Sequence, residues 1–288
     1  MAPSFAILAI VALITTSFLL PLANAYNYSV RFGYYGDVGP TQWGSLSPDY
    51  QLCSNGKQQS PINIVKKDAV VDKQLTSLNA DYSSPNATLV DNGFNVAVSP
   101  IPVNINAIIC GIFLQWEGNG GAMNVDGKNY TLKQLHWHSP SEHTIDGARF
   151  PVELHLVHQS DDGNLAVMAV LYKHGDADDF LTQLKGPIEE LTKESCSPDA
   201  DTRVPVGNLD TECMKKATNK YFRYTGSLTV PPCTENVIWS VLVKVRELTK
   251  EQVAALKAPL DSSCKNNARP VQPLNDRKVT MYEEDSSR

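Results

Sequence analysis

A chain of 288 residues with 25 Lys and Arg against 31 Asp and Glu carries a net charge of −6, and no basic cluster offsets it. That excludes a nucleic-acid binder, whose affinity rests on grouped cations meeting phosphates. Six cysteines, an even number, fit disulfides formed in an oxidising compartment, and 42% hydrophobic residues suffice for one large core.

Phe5 to Leu22 is apolar without a charge and runs into Ala23-Asn24-Ala25. Such a segment before A-x-A predicts a secretory signal peptide over residues 1–25, cut after Ala25, and so a secreted or secretory-lumen protein. It departs from the usual pattern in having no Lys or Arg before Phe5. A retained anchor is the rival, disfavoured by Pro21 and the cleavage signature. Residues 26–288 then form one domain, its core over about 30–283, with no membrane span in the mature chain. Sequons at Asn27, Asn86 and Asn129 mark surface positions open to glycosylation.

β-Branched and alternating runs predict strands over Leu89–Val98, Ile108–Trp116, Tyr130–His138, Val152–His158, Leu165–Lys173 and Val237–Arg246. Turn dipeptides at Asn92, Gly120, Asp126, Asp146 and Asp162 lie between or near them. Helical patterns are confined to Asp179–Lys193, interrupted at Pro187, and to Thr249–Lys257, where Thr249 and Gln252 have capping-box spacing. The acidic tail from Glu283 to Asp285 is a solvated terminus.

Two of these strands carry the chemistry. His136 and His138 are two apart in QLHWHSPSEHT (134–144), so both imidazoles leave the strand on one face. His155 stands in the next strand-like run, PVELHLVHQ (151–159). A lone H-x-H is more often a polar strand face than a metal site. Three histidines from neighbouring strands, however, supply the neutral nitrogen ligands of a catalytic zinc and leave a fourth position open. Gln134 and Glu153 share faces with these histidines, two residues before the first of each strand, where they can accept the second ring N–H. No H-E-x-x-H helix is present, which argues against a metalloprotease.

These segments resemble the α-class carbonic anhydrases, most closely the secreted plant-type members. Further motifs extend the resemblance over nearly the whole mature chain: FGYYGDVGPTQWGSL (32–46), GKQQSPINI (56–64), LAVMAVLYK (165–173), GSLTVPPCTE (226–235), WSVLVK (239–244) and NNARPVQPLNDRKV (266–279). The resemblance implies a mainly β single domain on a large twisted, mostly antiparallel sheet with a few short peripheral helices. It implies Zn2+ on His136, His138 and His155, backed by Gln134, Glu153 and Asn267, with His143 and Tyr224 buried beside them. It implies reversible hydration of CO2 to bicarbonate. Thr229 would accept a hydrogen bond from zinc-bound hydroxide, and Glu142 would take the threonine's own proton. Val157, Val167, Leu228 and Trp239 match the apolar substrate pocket. Val230 stands where many relatives place a second threonine, which puts bicarbonate binding and inhibitor preference in question.

The resemblance also bears on the cysteines and on turnover, and the Cys196–Cys213 expectation comes from the sequence between those two residues alone. A disulfide joins Cys53 to Cys233; a local Cys196–Cys213 bridge fits the polar insertion between them, and the pairing of Cys110 and Cys264 stays open. Where fast members carry a shuttle histidine, this chain has Phe94 after Asp91-Asn92-Gly93, so turnover is expected to be slow. Some secreted plant relatives have replaced a ligand histidine and accumulate as reserves, which makes a storage or binding protein with little turnover the alternative. All three ligands are kept here.

Overall fold

Strand alternation sorts the residues of this chain onto two faces of one sheet. The computed structural model describes residues 30–83, 86–91, 111–116, 120–194, 202–215 and 218–284. Among the described residues the frame is a mainly β, 13-stranded sheet. Its central order is Asn86–Asp91, Ile112–Trp116, Lys128–His138, Val152–Gln159, Leu165–His174, Glu235–Leu242 and Lys220–Ser227. Neighbours are mostly antiparallel, but Leu165–His174 and Glu235–Leu242 run parallel at the middle.

One face of these strands presents Leu135, Trp137, Leu154, Leu156, Ala166, Met168 and Val170 to the larger core. The opposite face presents Val157, Val167, Ala169, Trp239 and Val241 to a second, smaller cluster. The histidine pattern belongs to this second face, because His155 lies directly across from His136 and Glu153 from His138. Further along, Gln134 pairs with Val157 but His158 pairs with Leu132, so Lys133 is an extra residue. Such a bulge reverses the parity of the strand beyond it. Tyr130 and Leu132 thereby join Leu135 and Trp137 in the larger core.

The remaining departures from expectation have local causes. The strand expected over Val237–Arg246 is two, Glu235–Leu242 and Arg246–Leu248, both pairing with Leu165–His174. Val241 pairs with Ala169 and Arg246 with Tyr172, so five residues span three on the partner and two loop out. The helix expected to break at Pro187 breaks at Leu184 instead, giving Asp179–Gln183 and Lys185–Glu194. Pro187 then falls in a first turn, where its missing N–H is not needed. Helix Lys250–Lys257 has the full capping box between Thr249 and Gln252. No helix among the described residues is long and apolar enough to cross a membrane.

Cys53 is bonded to Cys233 across 180 residues. Cys213 is a free thiol, so the local Cys196–Cys213 bridge does not form. Cys264 is disulfide-bonded to a residue outside the described set. Asn86 and Asn129 are exposed; Asn27, Phe94, Cys110 and Cys196 lie outside the described residues.

Candidate metal centre

Backbone pairing alone brings the three histidines together. Their ring centroids stand 4.9, 4.7 and 5.1 Å apart, and one nitrogen from each lies within 4.8 Å of the other two. The other nitrogen of each ring has its own acceptor. His136 Nδ1 donates to Gln134 Oε1 (2.8 Å), His138 Nδ1 to the Asn267 carbonyl (2.6 Å) and His155 Nε2 to Glu153 Oε1 (2.6 Å). These oxygens can only accept, so they fix the ring protons on the outer nitrogens. Bare lone pairs are left facing inward. His136 Nε2 and His155 Nδ1 are 3.3 Å apart, and His138 Nε2 is buried with no partner among the described residues.

Burial lowers the pKa of all three, His138 to about 4 and His136 well below the usual imidazole value. Neutral imidazole is the ligating form, and three converging nitrogens with an orphaned buried atom among them fit a borderline dication such as zinc.

Glu153 organises the surroundings. Its Oε1 also accepts from His143 Nδ1 (2.6 Å), and its Oε2 takes the backbone N–H groups of Glu142 and His143 (both 2.8 Å). Burial works to raise its pKa, but His143 and His155 together hold it well below the carboxylate range. His143 Nε2 accepts from the Tyr224 hydroxyl (2.7 Å), which accepts in turn from Ser60 Oγ (2.8 Å). Ser60 and Ser227 then exchange backbone N–H to hydroxyl bonds at 2.9 and 3.0 Å. This chain reaches the segment that bears Leu228 and Thr229.

Glu142 is fully buried. Its Oε1 accepts the Arg269 backbone N–H (2.9 Å); its Oε2 is 3.5 Å from His138 Nε2 and has no hydrogen-bond partner among the described residues. Burial raises its pKa to about 7, and the neighbouring Thr229 hydroxyl acts in the opposite direction without reaching full hydrogen-bonding geometry. Thr229 is itself buried.

The apolar residues line up across the sheet. Gln134, Val157, Val167, Trp239 and Tyr224 are successive cross-strand partners on five strands. Leu228 packs on this cluster, whereas Val230 is buried in the other core. Trp239 stands 4.8 Å from the His155 ring. His158 faces away from the site, bonded to the Tyr82 hydroxyl (2.9 Å), and His174 is exposed at a strand end. Sequence reasoning missed Gln59, Ser60, Ser227 and Arg269. No periodicity sets them apart; the one signal they carry is their place in the motifs 56–64, 226–235 and 266–279.

The eukaryotic-type carbonic anhydrase family model matches residues 38–283. The chain belongs to that family. It is 41% identical over 246 residues to alpha carbonic anhydrase 7 of Arabidopsis thaliana, covering 85% of this chain and 82% of that protein. Among solved structures it is similar to a dioscorin complexed with ascorbate, with TM-score 0.79, 33% identity, and 89% and 99% of the two chains covered. The α-carbonic anhydrase of Thermovibrio ammonificans complexed with sulfanilamide aligns with TM-score 0.72 at 36% identity, over 87% and 99% of the chains. The fold is therefore that of the α-carbonic anhydrases, as the motifs led one to expect.

Proposed function

We propose that this protein is a zinc-dependent carbonic anhydrase that reversibly hydrates CO2, with zinc held by His136, His138 and His155. The observation that carries this is the set of three inward lone pairs, each fixed by an acceptor on the far side of its ring. Zinc bound there would acidify water at the open position to a pKa of about 7, the handiest route to a nucleophile at neutral pH; this enzyme class is the general example of that effect. The chain's own residues do the rest.

Thr229 Oγ1 would donate its single proton to Glu142 Oε2, the oxygen left without a partner, and could then only accept from the incoming nucleophile. That directs the nucleophile's reactive lone pair to the substrate. Glu142 must be ionised to take this proton, and a dication nearby favours that form. CO2 has no charge and no net dipole, so the cluster of Val157, Val167, Leu228 and Trp239 suits it by excluding water. Val230, expected from the sequence to face the substrate, packs instead into the other core, away from this cluster.

Proton release is the slow step. Three histidines are ligands, His143 and His158 are buried, and His174 lies five residues beyond Ala169, the partner of His155. At 3.3–3.4 Å per residue that is about 17 Å along the strand. The proton leaves to water or buffer at about 10³–10⁴ per second, against about 10⁶ for the fastest enzyme. Stopped-flow hydration by the zinc-loaded protein tests the reading: sulfonamide-sensitive turnover supports it, and its absence removes it.

A second reading is a carbonic-anhydrase-like storage or binding protein. The dioscorin complexed with ascorbate favours it, because there this fold holds an organic acid. The intact histidine triad favours the enzyme. The Cys53–Cys233 disulfide supports a place outside the cytosol, in the secretory lumen or beyond the cell.

A further inference from the structure

Arg269 is the odd charge in this molecule. It is 1% exposed, and among the described residues no carboxylate lies within ion-pair distance of its guanidinium. Burying a cation without a paired anion costs several kcal/mol, so such a group is kept only where its hydrogen bonds are needed. Those bonds go to three acceptors on two chain segments. Nη1 donates to Gln59 Oε1 (2.9 Å) and the Ser60 carbonyl (2.8 Å), and Nη2 to the Cys53 carbonyl (2.8 Å). The guanidinium also lies over the Trp43 ring at 5.6 Å.

The Gln59 and Ser60 contacts lead toward the candidate centre. Gln59 Nε2 passes the link on to the Cys233 carbonyl (3.1 Å), and Cys233 N–H closes the turn from Val230 (2.8 Å), the residue after Thr229. Ser60 holds Ser227 on the other side of Thr229. Arg269's own backbone N–H grips Glu142 Oε1 (2.9 Å). Glu142 and Thr229 come from separate loops and no full hydrogen bond joins them here, so their relative placement depends on this bracket.

We propose that Arg269 is a positioning residue: its buried guanidinium locks the Cys53 and Gln59–Ser60 segments so that its backbone N–H holds Glu142 Oε1 and turns Oε2 toward Thr229 and the histidine triad. The proposal deepens the hydration reading and rests on it for the kinetic consequence alone. Lysine cannot replace the fork, because a single ammonium does not reach three acceptors held in guanidinium geometry.

The test is Arg269→Lys with three readouts: zinc content, CO2 hydration kinetics, and hydrogen exchange of the residue 269 amide in the metal-free protein. Expected are unchanged zinc binding, a loss of kcat/KM of about 10- to 100-fold that exceeds the loss in kcat, and amide exchange faster by about tenfold or more. The kinetic split arises because proton release, which limits kcat, does not pass through this bracket. Unchanged exchange and kcat/KM overturn the proposal, as does a kcat/KM loss that only tracks lost zinc. If the lysine variant does not fold, Gln59→Ala takes its place, cutting the link to Cys233; zinc-replete protein with undiminished kcat/KM then overturns it. If wild-type protein shows no hydration at all, the functional reading fails, while amide exchange still decides whether Arg269 holds Glu142.

Discussion

Four donors meet on Glu153: two imidazole N–H groups and two backbone amides. Removing its carboxylate unsettles the tautomer of His155 and the loop bearing Glu142 together. Glu153→Ala should therefore weaken zinc binding about 10- to 100-fold in chelator competition, and Gln134→Ala, which frees one ring only, should cost less. Equal effects would mean that the acceptors do no more than fill space. His158 gives a second prediction, on stability. Burial holds its folded-state pKa at about 4, below the ordinary imidazole value of about 6.5. The unfolded chain thus takes up this proton first, and acidification from about pH 6.5 to about pH 4 favours unfolding by roughly 3 kcal/mol in all. His158→Gln should flatten the fall in stability across that window in denaturant titrations; an unchanged slope would contradict the assignment. At this scale the ligands were legible because strand parity makes i and i+2 meet. Arg269 was not, since nothing in Ala-Arg-Pro distinguishes a buried guanidinium from a solvated one.

Among the elements, the legible strands are those with long β-branched runs, Leu165–His174 above all. Lys220–Ser227 was missed although it is central to the site. It is nearly all buried yet contains Arg223, whose charge is met by Asp126 at 2.7 Å on a turn distant in sequence. Thr202–Asn208 was hidden by Pro205 and Gly207, which an edge strand tolerates. The bulge at Lys133 has no local signature either; it exists because both ends of one strand must face the same core. The Thr249 cap was visible from spacing alone. Thr249→Ala should cost about 1 kcal/mol, read as a lowered denaturation midpoint without loss of zinc. No change would show that Gln252, which also bonds the Asp178 backbone, holds this helix unaided.

For the molecule as a whole, the disulfide closes 180 residues and fastens the first loops to the turn after Thr229. Chain entropy alone assigns such a closure about 5 kcal/mol, and the Cys53→Ser/Cys233→Ser double variant should lose about 2–5 kcal/mol of unfolding free energy. The absence of a nearby shuttle histidine adds a kinetic expectation: kcat should rise severalfold with imidazole buffer while kcat/KM stays constant. A fast, buffer-independent kcat would mean that another group carries the proton. Beneath all of this is one claim, that three neutral imidazoles hold a dication. Metal analysis of purified wild-type protein beside His155→Ala, after dialysis against zinc, tests it most directly. The account predicts about one zinc per wild-type chain and almost none in the variant; wild-type protein without zinc, or a variant that retains it, would contradict the account.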